Sequence, residues 1–280
     1  MLTIDAQVHA YERDHPGRPW AGVLPGPAEV TGDDMVAAME AVGVDAAILI
    51  SPFTMYQYDA SYALEVRAQH PDKFALIKPV NPTDPGIDEV IADWAATEGT
   101  VAVRIMLSRQ GSTDPADPGI KRVLDSAARR NQPVNLMCWG LLDNVADYAR
   151  AHPNTCLIID HLGMHQPFDP PPPVEPFKDL EKVLKLAPLD NVAIKISGAC
   201  TYSHKPFPYN DIWDPIRRIL DAFGLERCMW GTDWTRASNL VTYAQSVEPF
   251  RLTDQLSDEE RAELMGGTLR KLYDWDPTRT

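Results

Sequence analysis

Four side chains that can move protons, carry charge or ligate a metal stand at or near the ends of short apolar runs: His9, Arg104, His161 and Asp233. A carboxylate beside imidazoles suits general-base activation of water and stabilisation of a developing oxyanion. A guanidinium suits bidentate capture of a carboxylate. Gln7 lies two residues before His9 on an extended run, so both side chains point the same way. Arg104 sits inside an apolar run, where a buried charge requires a partner; Arg109 follows just beyond it. A polar loop after the seventh apolar run supplies Ser203, Lys205 and Tyr209 as candidates for orienting a substrate. Each residue alone has a plain structural use, such as capping a helix. Their convergence on one cavity is the stronger reading.

Positioning them requires strands that all end on one side. Apolar, β-branched runs cover residues 2–8, 44–51, 74–80, 101–107, 134–139, 156–161, 192–197 and 228–233. Runs apolar on both faces suit parallel strands covered by helices. Between them the apolar period becomes helical: Met35, Met39 and Val42; Ile87, Val90, Ile91 and Trp94; Ile120, Val123, Leu124 and Ala127. The pattern returns at Leu180, Val183, Leu184 and Ala187, and at Ile216, Ile219, Leu220 and Phe223. Ser257 with Glu260 reads as a capping box. Eight β/α units predict a single (β/α)8 TIM barrel over residues 1–280, with chemistry at the C-terminal strand ends. An open doubly wound sheet would show a Gly-rich phosphate turn after its first strand, and none is present. Residues 11–31 are expected to cover the barrel mouth, and the proline run 170–173 reads as a stiff loop. Trp139 and Trp234 follow strand ends and are candidate pocket walls; Trp94 and Trp275 read as helix-packing residues. His70 and His152 each precede a proline at a helix end and read as surface caps.

The net charge of −14 argues against nucleic acid as a partner and weakly against anionic membranes. It leaves room for a small anionic substrate held by local arginines. No apolar run approaches the roughly 18 residues that a spanning helix needs. Cys138, Cys156, Cys200 and Cys228 form no CxxC pair and read as free thiols in a reducing compartment. A cytoplasmic enzyme is the expectation, with a homo-oligomer open.

Several stretches resemble the amidohydrolase superfamily, in its amidohydrolase 2 type. Ile4-Asp5-Ala6-Gln7-Val8-His9 is similar to that family's first-strand His-x-His signature. Asp160-His161-Leu162-Gly163, Lys195-Ile196-Ser197-Gly198 and Trp230-Gly231-Thr232-Asp233-Trp234 resemble the sixth, seventh and eighth strands of its lactonase branch. Within the branch the chain resembles the 2-pyrone-4,6-dicarboxylate lactonases and the sugar and muconolactone lactonases. The resemblance implies hydrolysis of a cyclic ester.

Two positions depart from the pattern. Gln7 replaces the first histidine, and Asn135 or Met137 stands where a fifth-strand ligand is usual. Zinc-type sites want three strong protein ligands and a water. The expectation is therefore a site without a tightly bound metal; otherwise one divalent ion such as zinc on His9, His161 and Asp233. Without metal, Asp233 is the base for water, His9, His161 and the Gln7 amide meet the oxyanion, and Arg104 with Arg109 pairs with a substrate carboxylate. Rival readings are a decarboxylase or other lyase on the same barrel, and a partner subunit with a weakened site.

Overall fold

In the computed structural model, residues 1–107, 114 and 116–279 are described; Arg109 lies outside them. The apolar runs form eight parallel strands: β1 (Ile4–Val8), β2 (Ala46–Ile50), β3 (Phe74–Pro79), β4 (Thr100–Ile105), β5 (Val134–Leu136), β6 (Leu157–Ile159), β7 (Val192–Ser197) and β8 (Cys228–Gly231). They are hydrogen-bonded in sequence order. Each neighbouring pair needs a crossover, which the intervening helices supply.

Among the helices are α1 (Gly32–Ala41), α2 (Phe53–Tyr56), α3 (Ser61–Gln69), α4 (Ile87–Ala96), α5 (Pro118–Arg129) and α6 (Leu142–Ala151). Then follow α7 (Leu180–Leu184), α8 (Trp213–Phe223), α9 (Trp234–Ala237), α10 (Tyr243–Leu252), α11 (Asp258–Ala262) and α12 (Thr268–Leu272). Starts are chemically marked. Thr31 with Asp34, Thr242 with Gln245 and Ser257 with Glu260 each form a complete capping box. Such a cap satisfies donors that a helix start otherwise leaves open, and replacing its Ser or Thr by Ala typically costs about 1 kcal/mol.

Two apolar layers follow from the period-two alternation of the strands. One face of each strand meets the helices: Leu49, Leu76, Val103, Leu136, Ile159 and Ile194 pack with Met35, Ile91, Leu124, Val145 and Ile219. The other face fills the lumen with Ile4, Ile48, Ile77, Ala102, Ile158, Ala193 and Met229. Leu269, Tyr273 and Trp275 close the lumen's lower end. Further along the same strands, the inward positions become Arg104, Asn135, Asp160 and Lys195, all buried.

Strands β5, β6 and β8 are shorter than their apolar runs suggest. After β6, His161 and Leu162 take φ values of 52° and 57°, and after β8 Asp233 takes 49°. Left-handed backbone at non-glycine residues costs of order 1–3 kcal/mol each and clusters at functional sites. The chain thus turns at His161 and Asp233, two of the candidate site residues.

The β8–β1 seam differs from the other joins. The Asp233 N–H donates to the Gln7 carbonyl at 2.8 Å. The Asp5 Oδ1 accepts from the Gln7 N–H at 3.0 Å and the Thr232 N–H at 2.8 Å. Its Oδ2 accepts from the Thr232 and Tyr243 hydroxyls. Gly231 permits this approach, since a Cβ there would lie 3.1 Å from the Gln7 nitrogen.

Residues 11–31 fold back over the rim. Tyr11 pairs with Val30 in an isolated bridge and meets Trp20 edge-on. Arg18 ties the segment to α3 through Glu65 at 2.6 Å. No helix among the described residues is long and apolar enough to cross a membrane. All four cysteines are free thiols, Cys156 only partly buried.

Candidate active site

His9, Arg104, His161 and Asp233 line one pocket at the C-terminal rim, with about 460 Å³ of open space including its mouth. All four are buried. Leu24 of the covering segment, Phe53 of α2, Met106, Met137, Trp139 and Phe168 complete much of its wall.

The protons can be assigned from donor and acceptor rules. His9 Nδ1 lies 2.7 Å from the Ile50 carbonyl, so that nitrogen carries a proton. Its Nε2 sits 3.2 Å from Asp233 Oδ1. The approach is close but poorly aligned, and Oδ1 has no hydrogen-bond partner. His161 Nε2 lies 3.3 Å from the Arg104 Nη2, which can only donate. The neutral ring therefore carries its proton on Nδ1, 3.1 Å from Ser197 Oγ and 3.8 Å from Asp233 Oδ2. Burial pushes His161 down to about 4, against the pull of Asp233 and Asp160, so the ring is neutral near pH 7. Burial opposes ionisation of Asp233, but His161, His9 and Arg236 outweigh it and hold the carboxyl below its usual range.

Beneath the pocket runs a second polar system. Arg104 Nε donates to Asp160 Oδ2 at 2.7 Å. Asp160 Oδ1 accepts from Asn135 at 3.1 Å and lies 3.3 Å from Lys195 Nζ. Lys195 also donates to Gln7 Oε1 at 2.9 Å, and Tyr273 donates to Asn135. Burial works against Asp160, yet Arg104, Lys195, His161 and Asn135 keep it well below the carboxylate range. Burial lowers Lys195 to about 8 despite Asp160.

These contacts revise several expectations. Arg104 is expected to hold a substrate carboxylate, but its charge is already balanced by Asp160 within the barrel. Gln7 does not line the pocket; its oxygen serves Lys195, while its buried Nε2 has no partner. Ser203, Lys205 and Tyr209 lie away from the pocket. Ser203 bonds Asp211, Lys205 is exposed, and Tyr209 packs on Phe207. None of the three is among the residues that line the pocket. Trp139 is a pocket wall, whereas Trp234 meets Tyr243 edge-on. His70 and His152 cap α3 and α6 and pair with Asp33 and Asp125.

Arg236, Met106, Phe53 and Phe168 were not singled out by sequence reasoning. Arg236 lies three residues past Asp233, in the turn of α9, and its guanidinium stands 4.2 Å from the Phe168 ring centre. Its spacing from Asp233 was the available signal.

The donor set does not fit a divalent cation of catalytic type. His9 Nε2 and Asp233 Oδ1 are available, but the His161 Nε2 lone pair faces a guanidinium and Gln7 Oε1 faces an ammonium. Met137, just past the end of β5, presents a thioether to the pocket instead of an imidazole. Among the described residues no group of three His, Cys, Asp or Glu side chains is arranged to hold a metal. Two fixed cations beside the remaining donors would oppose a third.

A barrel that brings a buried carboxylate and two imidazoles to its C-terminal rim defines a hydrolase-type (β/α)8 enzyme. The amidohydrolase family pattern matches residues 4–275, and the chain belongs to that family. It is 25% identical over 259 residues to a D-galactarolactone isomerase of Agrobacterium fabrum, covering 86% of this chain and 79% of the relative. It is 26% identical over 204 residues to a 4-sulfomuconolactone hydrolase of Rhizobium radiobacter, covering 72% and 65%. Among solved structures, a zinc-bound amidohydrolase from Burkholderia multivorans superposes with a TM-score of 0.79 at 21% identity, covering 99% of this chain and 100% of the other.

Proposed function

We propose that the protein hydrolyses a small, carboxylated cyclic ester, with Asp233 as the base that activates water. The observation that carries this reading is the Asp233 Oδ1: buried, ionised, 3.2 Å from the His9 Nε2 without a well-aligned hydrogen bond, and lining the pocket at the rim. A water hydrogen-bonded there loses a proton to Asp233 as its oxygen attacks the ester carbonyl. The carbonyl oxygen gains negative charge and is met by the Arg104 guanidinium, fixed in place by Asp160 before substrate arrives. His9 lies beside the carboxylate that receives the proton. As the tetrahedral intermediate collapses, the acyl–oxygen bond breaks and Asp233 passes its proton to the leaving ring oxygen. One water is consumed, and a hydroxy acid leaves.

The kinship with a lactone hydrolase and a lactone isomerase supports a lactone over an amide or a phosphate. Metal-dependent decarboxylation, the rival on this barrel, would need donors that Arg104 and Lys195 engage. Turnover of a lactone panel in ¹⁸O-labelled water tests the proposal. One label in the new carboxylate is expected. Release of carbon dioxide from an aromatic acid, with no lactone opened, would replace it.

A further inference from the structure

Apart from its open mouth the pocket is small: the cavity itself measures about 50 Å³, room for water. Sites that take a whole small molecule usually measure about 300–1,000 Å³. A ring bearing a carboxylate therefore enters only if part of the wall gives way. Much of that wall stands at strand ends or in helices, but Leu24 comes from the covering segment. The base of that segment is well fastened. Tyr11 and Val30 exchange two backbone hydrogen bonds, at 2.7 and 2.9 Å. Arg13 pairs with Glu29, and the Trp20 indole donates to the Glu12 carbonyl at 2.9 Å. Its tip is different. The last bond before it runs from the Ala21 N–H to the Met55 carbonyl, and the first after it from the Tyr11 hydroxyl to the Pro27 carbonyl. Between these two, residues 22–26 make no hydrogen bond to any described residue.

The two ends of this tip rest on different walls of the pocket. A Cβ at Gly22 would lie 3.3 Å from Thr54 Cγ2 in α2, and one at Gly26 would lie 3.2 Å from the Thr235 carbonyl in α9. Gly26 has a φ of 136°, which residues with side chains rarely adopt. Val23 is 77% exposed, and Leu24 is the one residue of the five that lines the pocket. We infer that residues 22–26 form a flap that swings at Gly22 and Gly26, with Leu24 as the latch that holds it shut. One partly buried leucine favours the closed form by at most about 100-fold. A segment with so few buried contacts and no hydrogen bonds opens locally while the fold beneath stays intact. From the lactonase reading the inference takes only the size of what must enter.

The test places a thiol on the pocket wall with Met106→Cys and follows its alkylation by N-ethylmaleimide, a reagent of lactone size, through peptide mass spectrometry. Labelling reports opening whether or not any lactone is turned over. Adding Gly22→Cys and Thr54→Cys allows a disulfide from the flap to α2, because the two side chains would meet. Forming that disulfide is expected to slow labelling at position 106 by at least about 20-fold, and reducing it to restore the rate. Leu24→Ala in the Met106→Cys chain is expected to speed labelling about 5- to 10-fold, and it tests the latch even where no disulfide forms. Labelling that the disulfide leaves unchanged, or that Leu24→Ala fails to speed, overturns the flap. Gated labelling in a protein whose parent opens no lactone upholds the flap and sinks the hydrolytic reading. Lactone turnover by the parent with ungated labelling does the reverse.

Discussion

Two buried aspartates, one and two residues beyond their strands, stand in contrasting surroundings at one rim. Asp160, after β6, receives Arg104 and Asn135 at hydrogen-bond distance and has Lys195 at 3.3 Å. Asp233, after β8, has an oxygen with no hydrogen-bond partner and an imidazole nitrogen 3.2 Å away. Burial opposes the charge of both. Asp160 is held ionised by cations that never leave, so its lone pairs are used up. Asp233 has imidazoles beside it instead, and its Oδ1 is engaged only by the poorly aligned His9 Nε2 at the pocket wall, which suits the proposed proton acceptor.

The sharpest way to break this contrast is to remove each charge in turn. Asp233→Asn is expected to lower kcat by about 10²- to 10⁴-fold, the usual contribution of a positioned base, with thermal unfolding nearly unchanged. Parent-like turnover in that variant would remove Asp233 from its role. Asp160→Asn leaves Arg104 and Lys195 uncompensated and is expected to cost about 3–5 kcal/mol of stability by urea unfolding. A loss below about 1 kcal/mol would show that the inner network is not a support.

The pH dependence sharpens the same comparison. The His161 imidazole titrates near 6.5 when unperturbed and at about 4 in the fold. Because the folded value is lowered, its contribution is present above 6.5 and is lost as pH falls towards 4, up to about 3 kcal/mol. Unfolding free energies of the parent and of His161→Gln should converge over that window. A constant difference from pH 7 to 4 would exclude the shift. The smallest effect is expected from Ser197→Ala, which removes the oxygen facing His161 Nδ1 and its backbone N–H. The cost is about 1 kcal/mol, with a loss of activity confined to a few-fold; an unchanged variant would mean that Arg104 and Asp233 orient the ring without Ser197.

The barrel was legible because its signals are local. Two apolar periods, alternating along the chain, suffice to place strands and helices, and the candidate site residues fall at or near where the strand pattern ends. What escaped is pairing across strands. The sequence shows that Arg104 needs a partner, but a ligand carboxylate and Asp160 satisfy that need equally well until β4 and β6 are brought together. Ser203, Lys205 and Tyr209 misled for a related reason: loop composition carries no direction, and none of the three lines the pocket. Arg236 escaped because a charged residue in a short helix ordinarily faces water. The turn at Asp233, with φ of 49°, aims it at Phe168 instead.

The Asp5 carboxyl fastens the first strand to the last like a clasp on a bracelet, and His9 and Asp233 hang from the two sides it joins. Burial raises that carboxyl to about 6 despite its hydrogen bonds to Thr232, Gln7 and Tyr243. Its contribution to folding is full below about 4 and fades as pH rises through 6, opposite in direction to that of His161. A proton far from any substrate thus helps set the spacing of the two groups that meet it.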